Sequence, residues 1–339
     1  MSVQVEENVA LSTYTTLKVG GPADHFVEVH NTDELKEVLL FSKEKAVPLS
    51  VIGGGSNVLV TDEGFRGLVI KNSLCGIKDI VHSDNVYLRV GAGESLDDLV
   101  QYASDKNFWG IENLSAIPGT VGATPIQNVG AYGVEVATMI TEVIAINKLT
   151  HEEKNFSNKE CLFGYRDSYF KTKAGKDWII TEVVFKLTLI KSPQLEYGTL
   201  KDLKYIPSLT PAKIREKVIS IRSEKFPNWR EVGTAGSFFK NPIIRTSEFE
   251  ALQVRYPAMV GYDLGDGTTK VPLGWILDNI CNLKGYCENG VCLYEHQALV
   301  LINKNAVSMK VINEFAKEVE KKVEEKTGIK IEREVSSLE

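Results

Sequence analysis

Between Leu114 and Glu135 the chain reads LSAIPGTVGATPIQNVGAYGVE, with glycine at 119, 122, 130 and 133, two prolines and a single charged residue. No regular element fits this stretch. Proline fixes φ and removes a donor, glycine weakens helix and strand interiors, and the lack of charge argues against a solvated linker. The segment must be an irregular loop held against the body of the protein. Its backbone N–H and C=O groups then need partners that no helix or ladder supplies, and a bound ligand is one source of them.

Regular elements flank that loop. Thr32 can cap a helix through DELKEVLLFSKEK, where Leu35, Val38, Leu39 and Ser42 recur at helical spacing, and PLSVIGG follows as a buried strand. SNVLV, GLVIKN and NVYLRVGAG are short β-rich runs, and Ser95 opens a helix over SLDDLVQYASDKN. Past the loop, VIAIN and WIITEVVFKLTL read as strands, and Thr210-Pro211 starts a helix to about Lys225. From TAGSFFKNP an α/β unit restarts: a helix near GWILDNICNL, a strand ALVLIN and an amphipathic helix from Val307 to Thr327 ended by Gly328. A last strand, IKIEREV, has no partner nearby in sequence and is expected to return to the middle domain. The class is mixed α/β, and 339 residues suggest two or three domains.

A net charge of -6 with scattered lysines argues against a nucleic-acid surface, so an anionic ligand needs a local arrangement. No run of 18 apolar residues occurs, and MSVQVEENVALSTYTT has no basic segment followed by an apolar core. A soluble cytoplasmic protein without membrane partners is the expectation. Five cysteines, an odd number in a long chain, suggest reduced thiols; Cys281, Cys287 and Cys292 cluster without CxxC spacing, so no metal site is expected.

VIGGGSNVL (51–59) follows a strand but has Val58 where a dinucleotide fingerprint needs its third glycine, and GAGESL (91–96) fails likewise at Leu96. The three glycines can still form a nest of N–H groups around phosphate, or a plain turn. Two glycine-rich turns and one long glycine loop together suit a large flat ligand with a pyrophosphate, such as a flavin dinucleotide. In FGYRDSYFK (163–171) Arg166 either pairs with Asp167 or aims its planar fork at a substrate carboxylate. In IEREV, Glu332 and Glu334 share one strand face, which by pattern alone is a solvated one. Ser237 in TAGSFFKNP is either part of a buried turn or a hydroxyl that Gly236 leaves approachable.

GGGSNVL, IPGTVGATPIQNVGAYGVE, FGYRDSYFK, LEYGTL, AGSFFKNP, HQALVLIN and EREV stand in the order and spacing of the UDP-N-acetylenolpyruvoylglucosamine reductases, the MurB flavoenzymes of peptidoglycan synthesis. The chain resembles that family along nearly its whole length, in the form carrying a tyrosine-bearing loop over the substrate. The resemblance implies a two-lobed flavin domain of the PCMH/vanillyl-alcohol oxidase type followed by an α/β substrate domain. The implied boundaries are 1–73 for the first lobe, 74–222 for the second lobe joined by strand 329–339, and 223–328 for the substrate domain. The implied activity is NADPH-dependent reduction of an enolpyruvyl group, which serves cell-wall biogenesis, shape and division.

By position, Arg166, Ser237 and Glu334 match the family's catalytic trio. Non-covalent FAD would be wrapped by Gly53, Gly54, Gly55, Ser56 and Asn57, by Ile117, Pro118, Gly119, Gly122 and Ala123, and by Gln127, Asn128, Gly130, Tyr132 and Gly133. Ala123 replaces the serine of some relatives. Tyr165, Tyr197, Lys225, Asn241 and Gln297 match positions that hold the UDP-sugar. Residues 114–135 contain no His or Cys, which disfavours a covalent-flavin oxidase of the same fold. A monomer is the expectation, and Leu338 and Glu339 read equally well as a cloning remnant.

Overall fold

Asn31 opens the first helix by accepting the Glu34 N–H at 2.9 Å, so the cap lies one residue before Thr32. The computed structural model describes residues 3–305 and 307–338, so Glu339 lies outside it. The first lobe contains β1 (Glu6–Ala10), β2 (Pro22–Val29), α1 (Thr32–Lys45), β3 (Leu49–Ile52), β4 (Val58–Leu59) and β5 (Phe65–Asn72). Its sheet has the order β1-β2-β5-β3, parallel except for β1. Leu35, Val38 and Leu39 of α1 are buried with Val27, Leu68 and Ile70, as helical spacing against a sheet face requires.

The second lobe runs through β6 (Ile77–His82), β7 (Asn85–Gly91), α2 (Leu96–Asp105), β8 (Gly130–Ala131), β9 (Val134–Glu135), β10 (Ile140–Asn147), β11 (Glu153–Ser157), β12 (Trp178–Thr188) and α3 (Pro211–Lys225). Five of these strands form an antiparallel sheet, β11-β10-β12-β7-β6. Ser95 caps α2 by accepting the Asp98 N–H at 3.3 Å. The loop 114–135 passes between these elements with only single 3-10 turns and the two-residue strands β8 and β9.

The third unit holds β13 (Gly233–Ser237), β14 (Ile243–Arg245), α4 (Thr246–Arg255), β15 (Tyr262–Asp263), β16 (Thr268–Lys270), α5 (Leu273–Trp275), β17 (Cys287–Glu288), β18 (Val291–Leu293), β19 (Val300–Asn303), α6 (Met309–Thr327) and β20 (Ser336–Ser337). The sheet β13-β19-β18-β17 and helix α6 enclose a core around Phe238, Leu301, Phe315 and Val319. The helix expected near GWILDNICNL is α5 continued by a π-helical stretch, Ile276–Ile280.

Three expectations change. The C-terminal segment does not join the second lobe: β20 pairs in parallel with β4 of the first, Ser336 N–H donating to Asn57 O and Leu338 N–H to Leu59 O. The short β4 leaves an open edge beside the glycine turn, and the tail fills it. Glu332 and Glu334 do not share a solvated face. Glu332 lies at the surface on Lys240, whereas the Glu334 side chain is only 13% exposed. The cysteines are not all reduced thiols: Cys287 and Cys292 form a disulfide, with Cys75, Cys161 and Cys281 free. Asn289-Gly290, both at positive φ, makes the tight β17–β18 hairpin that sets the two cysteines opposite each other. No helix among the described residues is long and apolar enough to cross a membrane.

Candidate active site

The two glycine segments meet. Ser56 Oγ donates to Pro118 O at 2.9 Å, and the Asn57 amide donates to Gln127 Oε1 and, at 3.3 Å, to the Glu334 carbonyl. A Cβ on Gly54 would lie 2.8 Å from Gly119 Cα, and one on Gly53 would lie 2.3 Å from Thr120 Oγ1. Part of the glycine content therefore exists so that the loops can touch each other. Among the described residues, no backbone N–H from Gly54 to Asn57 donates to another protein group, nor do those of Gly119 and Thr120. Such a run of uncommitted donors suits the pyrophosphate of FAD. Gly53 to Asn57 with Ile117, Pro118 and Gly119 could hold it. Gly122 packs on Ala92, and Ala123 spends its N–H on Thr120 O.

Asn128 is spent inside the protein: its amide nitrogen donates to Glu135 Oε2 and Gly164 O, and its Oδ1 accepts the Ala137 N–H. This pins the 164–167 turn to the loop. Arg166 stands on that turn at φ 53, a left-handed backbone that costs a non-glycine residue roughly 1–3 kcal/mol. Its Nη2 donates to Gly130 O at 3.0 Å, and its Nε lies 2.7 Å from Glu334 Oε1. The Nε–H does not line up with that oxygen, so the contact is a close ion pair rather than an aligned hydrogen bond. Asp167 is not the partner of Arg166; its carboxylate accepts the Ser168 N–H.

Burial raises the Glu334 pKa from its ordinary value, with Arg166 opposing. The Glu334 N–H donates to Phe238 O at 2.8 Å, so the carboxyl-bearing residue sits on the neighbour of Ser237. Ser237 ends β13 opposite Val300 after a register shift, and Gly236 before it stands at φ 69 with nothing within 4 Å of its missing Cβ. The positive φ, rather than close packing, explains that glycine. Among the described residues no hydrogen bond holds the Ser237 hydroxyl. Arg166, Ser237 and Glu334, far apart in sequence, thus converge where the three units meet.

Of the substrate candidates, Tyr165, Asn241 and Gln297 come together. The Asn241 N–H donates to the Tyr165 hydroxyl at 3.3 Å, Asn241 Oδ1 accepts the Leu273 N–H, and Gln297 Oε1 lies beside Gly274. Burial raises the Tyr165 pKa, with Arg166 opposing. Tyr197 stands apart, ring edge-on to Tyr132 at 5.5 Å, with Gly133 beneath it. Lys225 ends α3 as an exposed side chain with no contact to this group among the described residues.

Two cations escaped the sequence reading. Lys171 Nζ donates to the Arg166 carbonyl at 2.6 Å, and burial followed by Lys240 lowers its pKa. Arg222 Nε donates to Ala116 O at 3.1 Å, and burial lowers its pKa. Lys171 lies within FGYRDSYFK, where its aromatic company was a usable signal. Arg222 sits on a helix with weak amphipathic pattern and offered none.

Residues 23–149 match the family model described as an FAD binding domain, and residues 228–338 match the C-terminal domain of UDP-N-acetylenolpyruvoylglucosamine reductase. A UDP-N-acetylenolpyruvoylglucosamine reductase of Flavobacterium johnsoniae is 40% identical, covering 99% of this chain and 100% of its own. One of Pseudomonas syringae pv. syringae is 38% identical over 98% and 99%. The crystal structure of the enzyme from Thermus caldophilus, 26% identical, superposes with a TM-score of 0.70 over 99% of this chain and 100% of that one. With relatives this similar over their full length, the chain belongs to the UDP-N-acetylenolpyruvoylglucosamine reductase family.

Proposed function

We propose that this protein is the cytoplasmic, monomeric flavoenzyme that reduces the enolpyruvyl ether of UDP-N-acetylglucosamine-enolpyruvate to UDP-N-acetylmuramate. The observation that carries the reading is the buried Arg166–Glu334 pair held beside Ser237. When bound and reduced by NADPH, FAD would supply a hydride to the CH2 carbon of the enolpyruvyl group. Negative charge then develops on the neighbouring carbon and spreads into the substrate carboxylate. Arg166 stabilises that charge, where a preorganised cation in a water-poor site is worth most. Glu334, whose pKa burial raises, donates a hydrogen bond to the same oxygens when it is protonated. The Ser237 hydroxyl gives its proton to the carbanion carbon, so hydride plus proton complete the reduction. Tyr165, Asn241 and Gln297 hold the UDP-sugar from one side, with Tyr197 and Lys225 from the other.

The test separates the half-reactions. In anaerobic stopped-flow, Ser237→Ala should keep near-normal flavin bleaching by NADPH while reoxidation by the enolpyruvyl substrate slows by about 10²–10⁴, the usual contribution of a positioned acid. Normal reoxidation in that variant removes Ser237 from the chemistry. A wild-type protein that takes up no FAD overturns the function itself.

A further inference from the structure

Outside the trio, one buried side chain ties the two tyrosines together. Asn113 lies in the 3-10 turn Glu112–Leu114 and is 1% exposed. Its amide nitrogen donates to Tyr132 O and to Gln194 O, each at 2.9 Å, which uses both of its hydrogens. Its Oδ1 is buried without a partner. An unpaired buried acceptor is destabilising, so an amide suits this place only where its two donors are needed.

Both acceptors bear on Tyr197. Tyr132 stands at φ 51 and Gly133 at φ 82, two successive left-handed residues whose backbone needs an outside anchor. Gln194 lies just ahead of Tyr197, in a stretch without regular structure between β12 and the 3-10 turns of Gly198–Tyr205. Leu195 and Leu200 are buried beside Trp109 and give this loop an apolar foothold, while Tyr197 itself remains 49% exposed. Asn113 is the polar link between the loop and the flavin segment.

We propose that Asn113 is a positioning residue that clamps the Tyr197 loop onto the Tyr132 backbone, presenting Tyr197 before the UDP-sugar arrives. This rests on the reading above that Tyr197 holds the substrate. Without the clamp, the loop must be ordered at each binding event, a cost that falls on KM rather than on chemistry.

The test uses the holoenzyme and the variants Asn113→Ala and Asn113→Ser. Tryptic cleavage at the exposed Lys191 and Lys201 should quicken about tenfold in Asn113→Ala, with the global unfolding midpoint little changed. KM for the enolpyruvyl UDP-sugar should rise about tenfold while kcat stays within about threefold. In a Tyr197→Ala background the same substitution should add less than about twofold, because the two act as one unit. Asn113→Ser, retaining one donor, should fall between and decides the matter if the alanine variant does not fold. Unchanged loop cleavage, or KM effects that multiply, overturns the clamp. A wild type that fails to turn over the enolpyruvyl substrate overturns the function instead, and the cleavage comparison then still tests the clamp.

Discussion

In the proposed mechanism Glu334 is asked to be two things: the counter-ion of Arg166 and a neutral hydrogen-bond donor. Burial pushes its pKa up and Arg166 pulls it back, with the net direction upward. The substrate half-reaction should therefore slow as pH rises through that elevated pKa, because the proton that makes Glu334 a donor is lost. Glu334→Gln keeps a donor that cannot ionise and should flatten the profile in stopped-flow traces across pH, whereas Glu334→Ala should cost about 10²–10³ at low pH and less as pH rises through the wild-type pKa. Linkage gives an independent readout. A carboxyl whose folded pKa exceeds its unfolded value contributes stability that is full below the unfolded pKa and fades as pH rises through the folded one. Melting temperature should thus fall with rising pH more in the wild type than in Glu334→Gln. An equal pH response in both would show that Glu334 is ionised throughout. In the sequence this residue carried no sign of burial, since alternation around it matches a solvated strand; only the resemblance singled it out.

At the scale of elements, the glycine segments divide by what each glycine must avoid. A Cβ on Gly55 would lie 1.8 Å from Tyr14 O at φ 63, so Gly55→Ala meets both a clash with backbone and left-handed strain. Gly236 has φ 69 and open space. Chemical denaturation should show Gly55→Ala losing more than about 3 kcal/mol, with loss of bound flavin, and Gly236→Ala losing only about 1–2 kcal/mol. Similar losses would mean that the loops do not pack as described. Helices α1, α2 and α6 were legible because their apolar spacing and caps are local properties, and α3 through its Thr210-Pro211 start alone. The glycine loops were legible as irregular and ligand-bearing. Their mutual packing was not, because nothing in one loop specifies the partner that Gly54 meets in Gly119.

The whole molecule is held together by contacts that skip most of the chain. Both carboxylate oxygens of Asp62, in the first lobe, accept N–H groups at the start of α6, from Met309 at 2.7 Å and Lys310 at 3.0 Å. Thr16 Oγ1 donates to Thr234 O at 2.6 Å, and Asn303 Nδ2 to Leu17 O at 3.2 Å. Asp62→Ala removes a helix cap and a domain contact together, and should cost about 1–2 kcal/mol in a thermal melt without altering the flavin spectrum. An altered spectrum at unchanged stability would place Asp62 nearer the cofactor than its contacts indicate. These links, and the pairing of β20 with β4, lie beyond periodicity and turn chemistry because the residues involved are too distant along the chain to impose a pattern on one another.

That last pairing sets a timetable. A ribosome makes Arg166 and Ser237 well before Glu334, and the glycine segments earlier still. Most of the cradle for the cofactor can therefore form while the tail is unmade, but the bonds that the tail makes to Asn57, and the carboxyl proposed for the chemistry, arrive only when 329–338 emerges and docks on β4. On the proposed reading, translation order puts the acquisition of chemistry after that of most of the cradle, and a nascent chain stalled short of Glu334 would lack the carboxyl that the reduction needs.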